Sequence, residues 1–239
     1  MAINAPSDIP GLLLDLDPHA EAYQDAAGTT PATSAGDPVG NLPDQTGQQD
    51  ALTQTTSAAR PTLRSGLNGW RYLEGDGVDD TIDQTTFDAG PQPFSIIDVP
   101  HVTGGGNTLV TIEDGGNNWF GSNPADKPKA NWGSGAEGHG ISPVTGSVIG
   151  CTIDSNATFY EDGSNIITQG VGTSSWVAGV GLFNLFNNYH VGSYRILVYD
   201  GALTDAQHAD VAAYLSSVYS ASPGGGGGGT VSHPMLLGM

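Results

Sequence analysis

At 239 residues the chain can hold one large β domain or two small ones, and its 36 Gly and 15 Pro, with 37% hydrophobic residues, give much of the length to turns. Arg60, Arg64, Arg71, Lys127, Lys129 and Arg195 face 25 acidic residues, for a formal charge of -19; such a surface repels phosphate backbones and argues against nucleic acid and anionic lipid as partners. Cys151 is the single cysteine, which excludes an internal disulfide and a cysteine-based zinc site, and no run approaches the ~18 apolar residues of a membrane span.

The amino terminus has no basic region followed by an apolar stretch, so synthesis in a cytoplasm is expected. After an arm at 1–10, residues 11–17 (Gly-Leu-Leu-Leu-Asp-Leu-Asp) predict an opening strand closed by Pro18. Residues 24–66 lack period-two alternation and predict irregular coverage with short strand pieces. Short strands are expected at 70–73 and 81–82, on either side of a Gly- and Asp-rich turn at 75–80. Residues 94–99 and 108–113, separated by Gly104-Gly105-Gly106-Asn107, predict a hairpin. The stretch 114–143 predicts one or two short strands among exposed loops.

Four strands are then expected at 148–153, 157–160, 166–169 and 176–181, with Glu161-Asp162-Gly163-Ser164 turning the second into the third. The run 189–199 reads as the strongest strand. Thr204 and Gln207 have capping-box spacing, and Val211, Tyr214, Leu215 and Val218 fall on one face of the helix that follows, which should lie against a sheet. Residues 221–239 are a tether: the six glycines 224–229 leave the backbone free, and Met235, Leu236 and Leu237 form an apolar tip that could anchor in a partner.

Little in the chain points to catalysis. Glu21, Glu74, Glu113, Glu137 and Glu161 are scattered singly, whereas a retaining glycosidase holds two carboxylates ~5 Å apart. The histidines lack the i, i+4 pairing of a helical zinc site, and the glycine runs do not make a P-loop. Asp76, Asp79 and Asp80 crowd one turn. Their hard oxygens suit calcium, although Asx turns account for the same residues and are the preferred reading. Asn117, Asn118, Trp119, Trp132 and His139 lie in the most loop-like region. There, aromatic faces can stack on sugar rings and amides can bond hydroxyls, so these residues are the candidate glycan-binding set.

Two segments resemble the concanavalin A-like lectin/glucanase superfamily, in particular its laminin-G-like domains from phage and bacterial proteins. The first runs from Val39-Gly40-Asn41-Leu42 through Ala59-Arg60-Pro61-Thr62-Leu63 to Leu73-Glu74-Gly75-Asp76-Gly77. The second joins Phe159-Tyr160-Glu161-Asp162-Gly163 to the closing Gly192-Ser193-Tyr194-Arg195-Ile196-Leu197-Val198-Tyr199-Asp200-Gly201 and the helix ending at Tyr219. The resemblance implies an all-β, two-sheet antiparallel jelly-roll sandwich over residues 11–220, with one short carboxyl-terminal amphipathic helix before the glycine-rich tail. A lectin-type module without signal peptide, disulfide, membrane span or catalytic pair points to a non-enzymatic phage virion protein. That protein would be a capsid decoration or a tail or fibre component, assembled in the host cytoplasm with other virion proteins and copies of itself, and touching host-surface glycans. The alternative is a free carbohydrate-binding lectin; a glycoside hydrolase ranks third.

Overall fold

Stretches that are apolar at nearly every position need cover on both faces, and in this chain they form the middle of a sheet. The computed structural model describes residues 2–87, 93–101, 110–113, 119–123, 126–132, 135–138, 145–154, 156–170, 181–185 and 192–223. The strands are β1 (Leu12–Leu16), β2 (Asn41–Leu42), β3 (Leu52–Thr53), β4 (Thr62–Ser65), β5 (Arg71–Glu74), β6 (Ile82–Phe87), β7 (Phe94–His101) and β8 (Val110–Glu113). They continue with β9 (Trp119–Asn123), β10 (Asp126–Trp132), β11 (Gly135–Gly138), β12 (Ile149–Ile153), β13 (Asn156–Glu161), β14 (Ser164–Gly170), β15 (Gly181–Leu185) and β16 (Gly192–Asp200). One helix, α1 (Asp205–Ser220), follows, and among the described residues no helix is long and apolar enough to cross a membrane.

The strands build two eight-stranded antiparallel sheets. The first has the order β14-β13-β12-β7-β16-β5-β4. The outer edge of β16 is shared: its first residues pair with β5, and Ile196 to Tyr199 pair with β1. The second sheet has the order β11-β10-β9-β8-β15-β6-β3-β2. The all-β sandwich expected from the sequence is the fold observed.

Alternation on β7 and β16 divides the core in two. Phe94, Ile96, Ile196 and Val198 join Leu42, Leu52, Ile82, Phe87 and Leu185 of the second sheet in the inter-sheet core. Ile97, Val99, Leu197 and Tyr199 instead pack with Val211, Ala212, Leu215 and Tyr219 of α1. With both faces covered, β7 and β16 read as continuous apolar runs. Helix α1 begins as its sequence predicts: the Gln207 backbone N–H donates to Thr204 Oγ1 at 3.3 Å, and the Thr204 backbone N–H donates to Gln207 Oε1 at 2.9 Å. Residues at the amino terminus close the helix-side core, where Ile9 is buried and the Tyr199 hydroxyl donates to the Pro6 carbonyl.

The hairpin expected between 94–99 and 108–113 does not form. Strand β7 pairs with β12 and β16 in the first sheet, while β8 pairs with β15 and β9 in the second. The physical reason lies in burial: Phe94 through Pro100 are buried at every position, so β7 belongs between two covered neighbours under the helix, a place that a two-stranded hairpin does not offer. The expected strand at 176–181 lies largely outside the described residues, which resume with β15. The described residues of 114–143 carry three strands, more than the one or two expected.

The Asp162-Gly163 turn between β13 and β14 is required to be tight. Asp162 has φ 47° and Gly163 φ 78°, the pair of left-handed residues of a type I′ hairpin turn. A Cβ on Gly163 would sit 2.5 Å from the Ala209 Cα of α1. Gly163→Ala therefore combines left-handed strain with a backbone clash, a loss of about 2 kcal/mol. Thermal unfolding should show this as a fall of roughly 4–8 °C in Tm; an unchanged Tm would refute the docking of α1 on this turn.

Candidate functional site

The outer face of the second sheet brings together residues that the sequence keeps far apart. Across its eight strands the paired partners fall into one unbroken row: Asn41 with Thr53, Thr53 with Asp83, Asp83 with Asn184, Asn184 with Thr111, Thr111 with Trp119, Trp119 with Asn131, and Asn131 with Ala136. Directly paired residues share a face of a sheet. The next row along, Ile82-Leu185-Val110-Phe120-Ala130-Glu137, contains Ile82 and Leu185, both in the inter-sheet core. Strand alternation then puts the Asp83 row on the face away from that core. The same alternation holds at the far end, where Leu52 and Leu42 are core and Thr53 and Asn41 are only half-buried.

The row carries amides, hydroxyls, one carboxylate and one indole among residues that all sit on regular strands. Asn41 is already engaged, its side-chain amide donating to the Ala26 carbonyl at 3.2 Å. Asp83 is half-buried, and burial raises its carboxyl above the usual range. Of the glycan-binding set expected from the sequence, Trp119 falls in this row. Trp132, on β10, pairs with Gly135 of β11, one residue past Asn131 and so at the alternate register position. Both tryptophans stand on strands within the stretch that the sequence reads as the most loop-like. Asn117, Asn118 and His139 lie outside the described residues, as do Met235, Leu236 and Leu237. Asp83, Asn184, Thr111 and Asn131 escaped sequence reasoning because their proximity depends on pairing between strands, and no local motif encodes it.

The second candidate, the acidic turn, is assembled as the sequence predicts. Side-chain oxygens of Asp76, Asp79 and Asp80 lie within 4.8 Å of one another. Asp76 Oδ1 accepts from the backbone N–H of Val78 at 2.8 Å and of Asp79 at 3.3 Å, and Asp80 Oδ2 accepts from the Asp76 N–H at 2.9 Å. Those backbone bonds lower the Asp76 carboxyl, the Val78 N–H most of all. Burial, then the Asp76 charge, pushes Asp80 up to about 6. The oxygen donors are of the right class for calcium. The hydrogen bonds are nonetheless those of an Asx turn, which explains the cluster without an ion.

No protein-family model matches the sequence, and no curated protein matches it. Solved structures do share the fold. Domain 4 of AbnA, a GH43 extracellular arabinanase from Geobacillus stearothermophilus solved with arabinotriose, superposes with TM-score 0.57 at 15% identity, over 84% of this chain and 98% of that one. The binding domain of Paraclostridial Mosquitocidal Protein 1 gives TM-score 0.57 at 12% identity over 87% of this chain. The binding domain of Botulinum Neurotoxin DC, in complex with SialylT, gives 0.52 at 14% over 86%. The chain spans about half of each of these two toxin structures, 52% in both cases. This chain has an antiparallel β-sandwich fold.

Glu113 lies on the row's face, two residues along β8 from Thr111, while Glu137 belongs to the core-side row. Two strand spacings and two residues of rise separate Asp83 from Glu113, about 12 Å between Cα atoms. Glu74 is bound to Arg64, whose Nε donates to Glu74 Oε2 at 2.6 Å, and Glu21 accepts from the Tyr23 hydroxyl.

Proposed function

We propose that this chain is a non-catalytic glycan-binding module and that its binding face is the outer face of the second sheet. The observation that carries the reading is the cross-strand row from Thr53 to Asn131. It brings to paired register positions of successive strands the residue types that hydrogen-bond sugar hydroxyls and stack on a ring. The antiparallel β-sandwich fold supports it, as do the arabinotriose and SialylT present in two of the similar structures. The virion role expected from the sequence rests on a lectin-type module without signal peptide, disulfide, membrane span or catalytic pair, with the tail at 221–239 as an attachment device, and none of the similar structures supports it.

Glycan-array screening of the full chain, followed by calorimetry on the best ligand, tests the proposal. Trp119→Ala and Asp83→Asn should each weaken binding at least tenfold while leaving the far-ultraviolet circular dichroism unchanged. Undiminished affinity in both variants would move the site elsewhere, and release of reducing sugar by the purified chain would restore the hydrolase reading.

A further inference from the structure

Asn68 is the only asparagine of the chain that is followed by glycine, and the fold puts it where a change of charge matters. It lies in the single-turn 3-10 helix Leu67–Gly69, and both Asn68 and Gly69 are exposed. The Asn68 backbone is left-handed, at φ 49° and ψ 19°, and Gly69 follows at φ 91°. Asparagine and aspartate both tolerate that region. The Leu67 N–H donates to the hydroxyl of buried Tyr194 at 2.7 Å, which ties the turn to β16, and the Gly69 N–H closes it onto the Gly66 carbonyl at 3.1 Å. From this turn Asn68 Nδ2 donates to the Tyr219 carbonyl at 2.8 Å, and Trp70 Nε1 donates to the Ala221 carbonyl at 2.6 Å. Tyr219 stands in the last turn of α1, where carbonyls have no partner within the helix, and that turn carries no basic side chain. The Asn68 amide is thus a helix cap supplied from a distant part of the chain.

We propose that Asn68 is a site of spontaneous deamidation, and that the carboxylate formed there releases the end of α1 from the 67–69 turn.

Asparagine is among the thermolabile residues, and a following glycine, without a Cβ, leaves its own backbone nitrogen open to approach. Above neutral pH, hydroxide removes the Gly69 amide proton and the nitrogen attacks Asn68 Cγ. The bond from Gly69 N to Cγ forms, the bond from Cγ to Nδ2 breaks, and Nδ2 leaves as ammonia with a proton taken from water. Water then opens the cyclic imide. Cleavage between Cγ and Gly69 N gives aspartate; cleavage between the Asn68 carbonyl carbon and Gly69 N gives isoaspartate. The sum is amide plus water to acid plus ammonia, with no oxidant or reductant. In the folded chain both reacting groups are engaged, the Gly69 N–H by Gly66 and the Asn68 amide by Tyr219. The reaction therefore proceeds through transient opening of the turn. Either product removes the donor that serves the Tyr219 carbonyl and puts negative charge at the helix end where the macrodipole is already negative. Isoaspartate also lengthens the backbone by one carbon inside a tightly closed turn.

The full chain, aged at mildly alkaline pH and digested with trypsin, yields a peptide of residues 65–71. Its conversion from amide to acid, followed by mass spectrometry, should run at least fivefold ahead of that at every other asparagine. Asn68→Asp introduces the charge without ageing: Tm should fall by about 2–4 °C, and amide hydrogen exchange at 216–220 should quicken severalfold. Asn68→Gly keeps the left-handed turn, adds no charge and cannot deamidate. Its Tm should fall less than that of Asn68→Asp and hold constant on ageing, while the wild type drifts toward the Asn68→Asp value. Modification of residue 68 no faster than that of the other asparagines overturns the site. An Asn68→Asp chain with wild-type Tm and wild-type exchange overturns the release of α1.

Discussion

Replacing Arg195 with Met is expected to destabilise the sandwich by about 3–5 kcal/mol, the cost of breaking a buried ion pair from one side. Arg195 lies on β16 and is 4% exposed; Asp15 on β1 is 5% exposed. The guanidinium donates to both Asp15 oxygens, Nε to Oδ1 at 2.8 Å and Nη2 to Oδ2 at 2.6 Å, and Asp17 Oδ2 lies 3.8 Å from Nη1. Burial alone would lower the Arg195 pKa; Asp15 and then Asp17 raise it above its ordinary value, so the charge persists. Methionine preserves much of the stem volume and leaves two carboxylates facing each other without a cation. The pairing joins the first strand to the last, and the loss should appear as a shift of the urea midpoint. Pairing Arg195→Met with Asp15→Leu removes the nearer of the two orphaned carboxylates and should recover a large part of the loss. A single-variant loss under about 1 kcal/mol would contradict the buried pair.

What the sequence made legible was the local part of the fold. Apolar runs marked β1, β7, β12, β13 and β16 because each strand carries its own burial pattern, and the capping box at Thr204 and the Asp162-Gly163 turn are decided within four residues. The Asp76 turn was equally visible, since its hydrogen bonds close over neighbours in the chain. Partner choice was hidden. The glycines at 104–106 look like a hairpin turn whether the strands beside them pair or part into different sheets, and only the two-sided burial of β7 decides. Of the proposed face the sequence singled out Trp119 alone, in the region that reads as the most loop-like, because a Gly- and Asn-rich stretch has weak strand propensity until neighbouring strands impose pairing. Asp83 and Asn184 are a hundred residues apart in the chain and adjacent only through register.

His208 makes the sandwich sensitive to mild acid, with an expected loss of about 2 kcal/mol on going from pH 7.5 to 5 and about 3 kcal/mol by pH 4. The ring is buried at 2% exposure, stacked on Tyr160 with centroids 3.6 Å apart, and its Nε2 lies 2.8 Å from Thr152 Oγ1. Thr152 in turn meets Ser95 Oγ at 2.8 Å, and Ser95 Oγ accepts from the Leu203 N–H at 3.0 Å. This chain of polar groups fixes the start of α1 to β7 and β12 in the neutral form of the ring. Burial lowers the His208 pKa to about 3, with Asp205 pulling the other way. Because the folded value lies below the unfolded value of about 6.5, the unfolded chain takes up the proton first. The contribution is complete above pH 6.5 and drains away as pH falls toward 3. Asp98, wholly buried beside Ser193, has its carboxyl raised by burial. Its contribution has the opposite sign, present below the usual carboxylate range and lost as pH rises through the folded value. Comparison with His208→Gln isolates the histidine, since Asp98 titrates alike in both chains. Urea unfolding from pH 4 to 7.5 should show the difference in stability between wild type and variant shrinking by these amounts toward acid. Parallel curves would mean that His208 is open to solvent and that α1 is held by apolar contacts alone.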